Sequence, residues 1–258
     1  MLRAVGRLIL LALHVLLGLV LTIVVAGLLR RKPEHPSYRA LRLWWLRRVI
    51  SILGGQVQVY GTPLAGGSFW ACNHISWLDI PALGSVAPVR FLSKIEVKSW
   101  PVIGWLATAA GTLYIRRGQQ GEAGKAADDI TASLKQGGQV LVFPEGTTSD
   151  GVVLKPFHAR LFASAIESGV PVQPVALRYL DESGALHARV PYVGNDTLWR
   201  NLMGLLPQQS MLIEVYLLEP VMPGELSRRE LAALCEQQIR QALGLPEHEA
   251  PERLAVTA

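Results

Sequence analysis

Charge is scarce in this chain: of 258 residues only 17% are Asp, Glu, Lys or Arg, against 50% hydrophobic. That balance leans towards a protein that meets a membrane. Cysteine is scarcer still. Cys72 and Cys235 form no metal-type spacing and no disulfide framework, which leaves a reduced, cytosol-facing chain with no metal site. No Gly-x-Ser-x-Gly elbow occurs, which argues against a covalent serine hydrolase. Internal repeats, low-complexity tracts and an interdomain linker are also missing, so the length suits one large domain with an appendage.

The net charge of +5 fits two partners, nucleic acid or an anionic lipid face. Position decides between them. Seven of the 25 basic residues (Arg30, Arg31, Lys32, Arg39, Arg42, Arg47 and Arg48) crowd the window 30–48, beside the longest apolar run. The partner is therefore a bilayer and not a nucleic acid. That run, Leu8 to Leu29, is interrupted only by Ala, Gly, Thr22 and His14. As a helix it would reach about 33 Å, against about 30 Å of hydrocarbon. Its sixteen Leu, Ile and Val residues give about −6 kcal/mol for insertion, enough to absorb the histidine. It is too long for a cleaved signal and reads as an anchor. The basic excess after it places the following domain on the cytoplasmic side of its membrane. A second helix, Pro36 to Leu53, carries Tyr38, Leu41, Trp45, Val49 and Ile52 on one side and arginines off it. Such helices lie in the headgroup layer, and the alternative is a helix packed on the core with a solvated basic face.

From Gln56 the period shortens. Strand-like runs appear at 57–60, 68–71, 89–92, 112–115, 140–143, 172–177 and 212–217, with helical patterns at 78–83, 102–110, 124–135 and 159–167. A last helix, Ser227–Leu243, opens with a capping serine and Glu230 three residues on. Alternation of this kind predicts an α/β layered domain with a largely parallel mixed sheet flanked by helices. The expected organisation is a membrane-anchoring pair of helices over 1–53, an α/β domain over 54–246 and a loose tail over 247–258.

Chemistry concentrates in three stretches. In Cys72-Asn73-His74-Ile75-Ser76-Trp77-Leu78-Asp79, a histidine and an aspartate stand five apart just past a buried strand, with Asn73 as a helix cap. The carboxylate would fix one ring nitrogen and leave the other as a general base. Six histidines and six aspartates would give this spacing by chance about one time in seven, so it needs context. Cys72 reads as core strand and Ser76 as a hydrogen-bonding residue of the helix start. The second stretch, Gly111 to Gly118, ends a strand in Arg116 and Arg117, whose guanidinium groups suit a phosphate. The third runs from Val140 through Phe143-Pro144-Glu145-Gly146-Thr147-Thr148, at the carboxyl end of a strand, where α/β sheets hold ligands. There Gly146 would let backbone approach a ligand, and Glu145 could bond substrate hydroxyls or an arginine.

These blocks, with Val170-Pro171-x-x-Pro174 as a fourth, resemble in order and spacing those of the glycerolipid acyltransferases, from Ser68 to Pro220. The bacterial 1-acyl-sn-glycerol-3-phosphate acyltransferases are the most similar branch, a resemblance that makes the membrane a bacterial inner membrane. The resemblance implies an enzyme that moves an acyl chain from an acyl carrier protein or coenzyme A thioester to a lysolipid hydroxyl, first of all that of 1-acyl-glycerol-3-phosphate to give phosphatidate, without cofactor or metal. His74 would be the base and Asp79 its orienting carboxylate. Arg117, with Arg116, would hold the acceptor phosphate, while Asn73, Glu145, Gly146 and Thr147 would belong to the substrate site. Thr148 departs from the arginine common at that position, and Arg116 from an aspartate. The segment Thr147 to Leu161 resembles the lyso-ornithine lipid acyltransferases, so that lipid, or another lysophospholipid, is the alternative acceptor. A thioesterase, acting on water, and a non-enzymatic membrane-remodelling protein are the rival readings from other classes.

Overall fold

All seven strand-like runs form strands, because each is short, bounded by turn residues and able to alternate its side chains across a sheet. The computed structural model describes residues 1–116 and 122–246. Arg117 and the tail 247–258 lie outside the described residues. The strands are β1 (Gly55–Tyr60), β2 (Ser68–Cys72), β3 (Arg90–Lys94), β4 (Leu113–Ile115), β5 (Gln139–Val142), β6 (Val172–Leu180) and β7 (Met211–Leu217). They make one sheet in the order β1-β7-β6-β2-β5-β3-β4. Neighbours are parallel except for β6 and β7, which are antiparallel. The α/β class with a largely parallel mixed sheet is therefore the class observed.

The helices are α1 (Leu2–Thr22, continued as a π-helical turn Ile23–Leu28), α2 (Pro36–Ile52), α3 (Asp79–Val86), α4 (Ile95–Lys98), α5 (Ile103–Ala109), α6 (Glu122–Lys135), α7 (Ala163–Ser168), α8 (Leu198–Leu205) and α9 (Arg228–Leu243). Alternation along β2 shows how they are layered. Trp70 and Cys72 face a core shared with Val49 and Ile50 of α2, Leu83 of α3 and Leu205 of α8. Phe69 and Ala71 face the other core, with Ile130 of α6, Ala165 of α7 and Leu231 of α9. The expected capping box of the last helix is present, Ser227 and Glu230 each bonding the other's backbone N–H. The sequence reading missed α4 and α8. The second of these had a readable start, since the Thr197 side chain accepts from the Arg200 N–H.

Of the two expectations for α2, the structure shows the core-packing one. Its buried residues are Tyr38, Leu46, Val49 and Ile50, so one side of it is core rather than headgroup-facing. Two of its arginines hold protein carbonyls instead of lipid phosphate: Arg42 donates to Pro88 and Ala110, and Arg47 to Ser85. Burial, with neighbouring Arg39 adding, pushes Arg42 down to about 10. The apolar helix α1 takes the outer position. With its π-turn it spans 27 residues, long and apolar enough to cross a membrane, and most of its large side chains are exposed. It runs antiparallel along α2. The His14 ring bonds the Trp45 carbonyl while the Trp45 indole N–H donates to the His14 carbonyl. Gly18 permits this approach, because a Cβ there would stand 2.5 Å from the Trp45 ring. Arg7 then pins the start of α1 to the carbonyls of Leu206, Gln208 and Gln209. An exposed apolar helix docked in this way gives the chain a membrane-associating face.

Candidate active site

Strands β2, β5 and β4 run parallel within the sheet, so the three chemistry-bearing stretches leave it along one edge, the carboxyl edge. Because β2 and β5 are neighbours, the loops after Cys72 and Val142 emerge side by side. Arg116, exposed just past β4, stands three strand spacings from β2, about 14 Å along the rim.

His74 and Asp79 meet across the turn into α3. Asp79 Oδ2 lies 2.6 Å from His74 Nδ1 and also accepts the N–H groups of Ile75 and Ser76, at 2.8 and 3.0 Å. With three donors on one oxygen, the carboxylate is the acceptor, so Nδ1 carries the proton and Nε2 is the free basic nitrogen. The Asp79 side chain is fully buried, while that of His74 keeps 18% exposure. The imidazole lies flat on Phe143, with ring centroids 3.9 Å apart. A base with one wet and one dry side suits proton abstraction from a substrate hydroxyl.

Glu145 is placed otherwise than expected. It is buried, and its two oxygens accept the backbone N–H groups of His74, at 2.6 Å, and Lys155, at 2.9 Å. From the other side Ser149 donates its N–H to the His74 carbonyl at 2.7 Å. The Glu145–Ser149 loop thus grips both backbone groups of the candidate base. Burial pushes the Glu145 carboxyl up to about 7, against the pull of the Lys155 and His74 amides, and the charge of Asp79 adds to the rise. A carboxyl raised on folding contributes stability that is complete below about pH 4.5 and lost as pH rises through about 7. The melting temperature should therefore decline between pH 5 and 8 through this residue. Glu145→Gln should flatten that slope. Because one backbone N–H would then face an amide NH2, the substitution should also cost about 1–3 kcal/mol. A thermal scan at several pH values checks both effects; parallel slopes in the two proteins would contradict the assignment.

The remaining expected residues divide. Asn73 is not a helix cap: its buried side chain holds both backbone groups of Leu177 on β6, and α3 begins only at Asp79. Gly146 has a positive φ of 72°, and a Cβ would come within 3.1 Å of the His158 ring, so the turn requires glycine. Thr147 is exposed at the mouth. The Thr148 hydroxyl donates to the Tyr192 carbonyl, and the Lys155 ammonium donates to the Thr148 carbonyl. Ser76 does not hydrogen-bond the helix start through its hydroxyl, which is buried and unpartnered among the described residues. The Cys72 thiol is held well up by burial and by the nearby charges of Asp79 and Glu145, so it is no nucleophile. The backbone N–H groups of His74, Ile75 and Ser76 are all spent on Glu145 and Asp79, so these three are not available to an oxyanion.

Sequence reasoning missed two supports of this site. One is Tyr179, whose hydroxyl donates to Asp79 Oδ1 at 2.7 Å. The alternation Val175, Leu177, Tyr179 carries it to the same face and was readable. The other is Asn201 on α8, which accepts from the Trp77 indole and donates to the Pro191 carbonyl, tying the motif to the loop that holds Tyr192.

Comparison with known proteins gives the chain its family and a related fold. The family model described as "Acyltransferase" matches residues 56–178. The lyso-ornithine lipid O-acyltransferase of Pseudomonas aeruginosa is 44% identical over 208 residues, covering 81% of this chain and 80% of that protein. The chain belongs to the acyltransferase family. This acyltransferase is also 46% identical over 137 residues to the 1-acyl-sn-glycerol-3-phosphate acyltransferase of Neisseria gonorrhoeae, covering 52% of this chain and 54% of that one. Its fold matches the crystal structure of the 1-acyl-sn-glycerophosphate acyltransferase PlsC from Thermotoga maritima, with a TM-score of 0.62 and 24% identity over 92% of this chain and 96% of the other.

Proposed function

We propose that the chain transfers an acyl group from an acyl carrier protein or coenzyme A thioester to the free hydroxyl of a membrane lysolipid. The 2.6 Å bond from His74 Nδ1 to the buried Asp79 carboxylate carries this reading, because it leaves Nε2 as the base. As the lysolipid oxygen attacks the thioester carbonyl, its proton passes to His74 Nε2 and Asp79 steadies the imidazolium. The C–S bond then breaks, and the proton leaves with the thiol. A thioester is already activated, so the reading requires no protein nucleophile, metal or cofactor. Exposed Arg116 supplies a cationic rim for the donor's or acceptor's anionic groups, and Arg117 next to it in sequence adds a second guanidinium. The apolar α1 and the basic residues that follow it support a domain held against the cytoplasmic face of an inner membrane.

A lyso-ornithine lipid is the acceptor this reading favours. Thr148, where an arginine would hold a phosphate, spends its hydroxyl on the Tyr192 carbonyl, and the Pseudomonas relative is matched over most of its length. Arg116 at the rim, and the Neisseria relative, support 1-acyl-glycerol-3-phosphate as the second reading. Purified protein given one acyl thioester and either lysolipid decides between them. A preference of about tenfold or more in kcat/KM for lyso-ornithine lipid is expected. Thioester cleavage that continues at the same rate without any lysolipid would make the protein a thioesterase instead.

A further inference from the structure

Beyond the four sequence blocks, one buried titratable group touches the His74–Asp79 pair. Tyr179 is only 2% exposed, and its hydroxyl donates to Asp79 Oδ1 at 2.7 Å. The path that brings it there begins inside the motif. β2 pairs with β6 as far as Cys72 opposite Val175, and then turns away from the sheet. The Asn73 side chain replaces the missing strand: its oxygen accepts the Leu177 N–H at 2.8 Å and its NH2 donates to the Leu177 carbonyl at 2.9 Å. β6 is thereby held in register one step beyond its partner. Tyr179, two residues further, shares the face of Leu177 and reaches Asp79.

We propose that Tyr179 is a positioning residue for acyl transfer, fixing the Asp79 carboxylate so that His74 presents a free Nε2 to the acceptor hydroxyl. This rests on the proposed acyl-transfer reading. The carboxylate takes three N–H donors on Oδ2 and the phenol alone on Oδ1, so the phenol sets its rotation and draws charge away from the oxygen that faces His74. The titratable groups around Asp79 are His74, Tyr179, Cys72 and Glu145. Burial and the Asp79 charge hold the Tyr179 phenol and the Cys72 thiol well up. Tyr179 therefore stays a donor throughout the working pH range, and neither group exchanges protons with the pair. Asn73 acts at one further remove, through the register of β6.

Tyr179→Phe keeps the ring and removes the bond. Charge then gathers on Oδ2 and favours the protonated imidazole, so the acid limb of the kcat/KM–pH profile should move up by about one unit. The kcat should fall about tenfold to a hundredfold, with both KM values held within about twofold. A ring-fluorinated tyrosine at 179, a stronger donor, should move the limb the opposite way. An unchanged profile and kcat would overturn the proposal. So would a fall in kcat with the limb unmoved, which is what lost folding or packing alone produces. If the wild-type protein acylates no lysolipid, the acyl-transfer reading fails on its own. The His74 Nδ1–H proton resonance then tests the contact separately, expected to shift in Tyr179→Phe and overturning the proposal if it does not.

Discussion

His74→Ala is expected to lower kcat/KM for acyl transfer by about 10²- to 10⁴-fold, the usual worth of a positioned general base. The protein should stay folded and on the membrane. The grip on this residue is through its backbone: Glu145 takes its N–H and Ser149 its carbonyl, and alanine keeps both. The lost ring was stacked on Phe143, partly exposed, and gave Asp79 one of its four donors. Losing a hydrogen bond to a charged group costs about 1.5–3 kcal/mol, which a full domain tolerates. Membrane association depends on α1 and its contacts with α2, remote from the ring. Acyl-transfer assays alongside liposome flotation read both halves. Near-normal transfer would remove His74 from the base role, and loss of membrane binding would show that the effect is structural.

Asp79→Asn should lower kcat by up to about 10⁴-fold while costing about 1–3 kcal/mol of stability. The geometry dictates how the amide sits. Three N–H donors converge on the Oδ2 position, so the amide oxygen must occupy it and the NH2 must face Tyr179. The phenol oxygen can accept one amide N–H, but its own buried O–H then loses the acceptor it had. Packing survives; the charge and that one hydrogen bond are lost. The imidazolium formed during transfer then lacks its counter-charge in a dry site, where that charge matters most. A variant that stays folded with a somewhat lower melting temperature, binds both substrates and turns over slowly is the expected result. Full activity would mean that Asp79 only orients the ring. Unfolding would mean that the amide cannot adopt the arrangement described.

The sequence made the sheet and the His74–Asp79 pair legible for different reasons. Each strand announces itself within a few residues, and the spacing of His74 and Asp79 lies inside one turn, so local pattern suffices. Glu145 was visible as a residue type but its direction was not. Its carboxylate turns inward because a backbone amide arrives from Lys155, ten residues on, and no local pattern announces that return. Tyr179 lies 100 residues from the aspartate it supports, and Asn73 reaches 104 residues to Leu177. Such contacts depend on strand order, which periodicity does not report. The face of α2 was misjudged by about one position, because an apolar stripe could serve lipid or core equally well, and only the arginines' choice of carbonyls separates the two.

The grip on His74 also separates two kinds of sequence change. Glu145 and Ser149, which hold the base, flank Thr147 and Thr148, which face the mouth or its loop. If these two inner positions meet the acceptor, as the proposed function has it, substitutions there would alter the headgroup that is accepted without disturbing the anchors on either side. A lineage could therefore exchange one lysolipid for another in single mutational steps, each intermediate remaining a competent acyl-transfer enzyme. The departure from arginine at position 148 is the kind of trace such a history would leave.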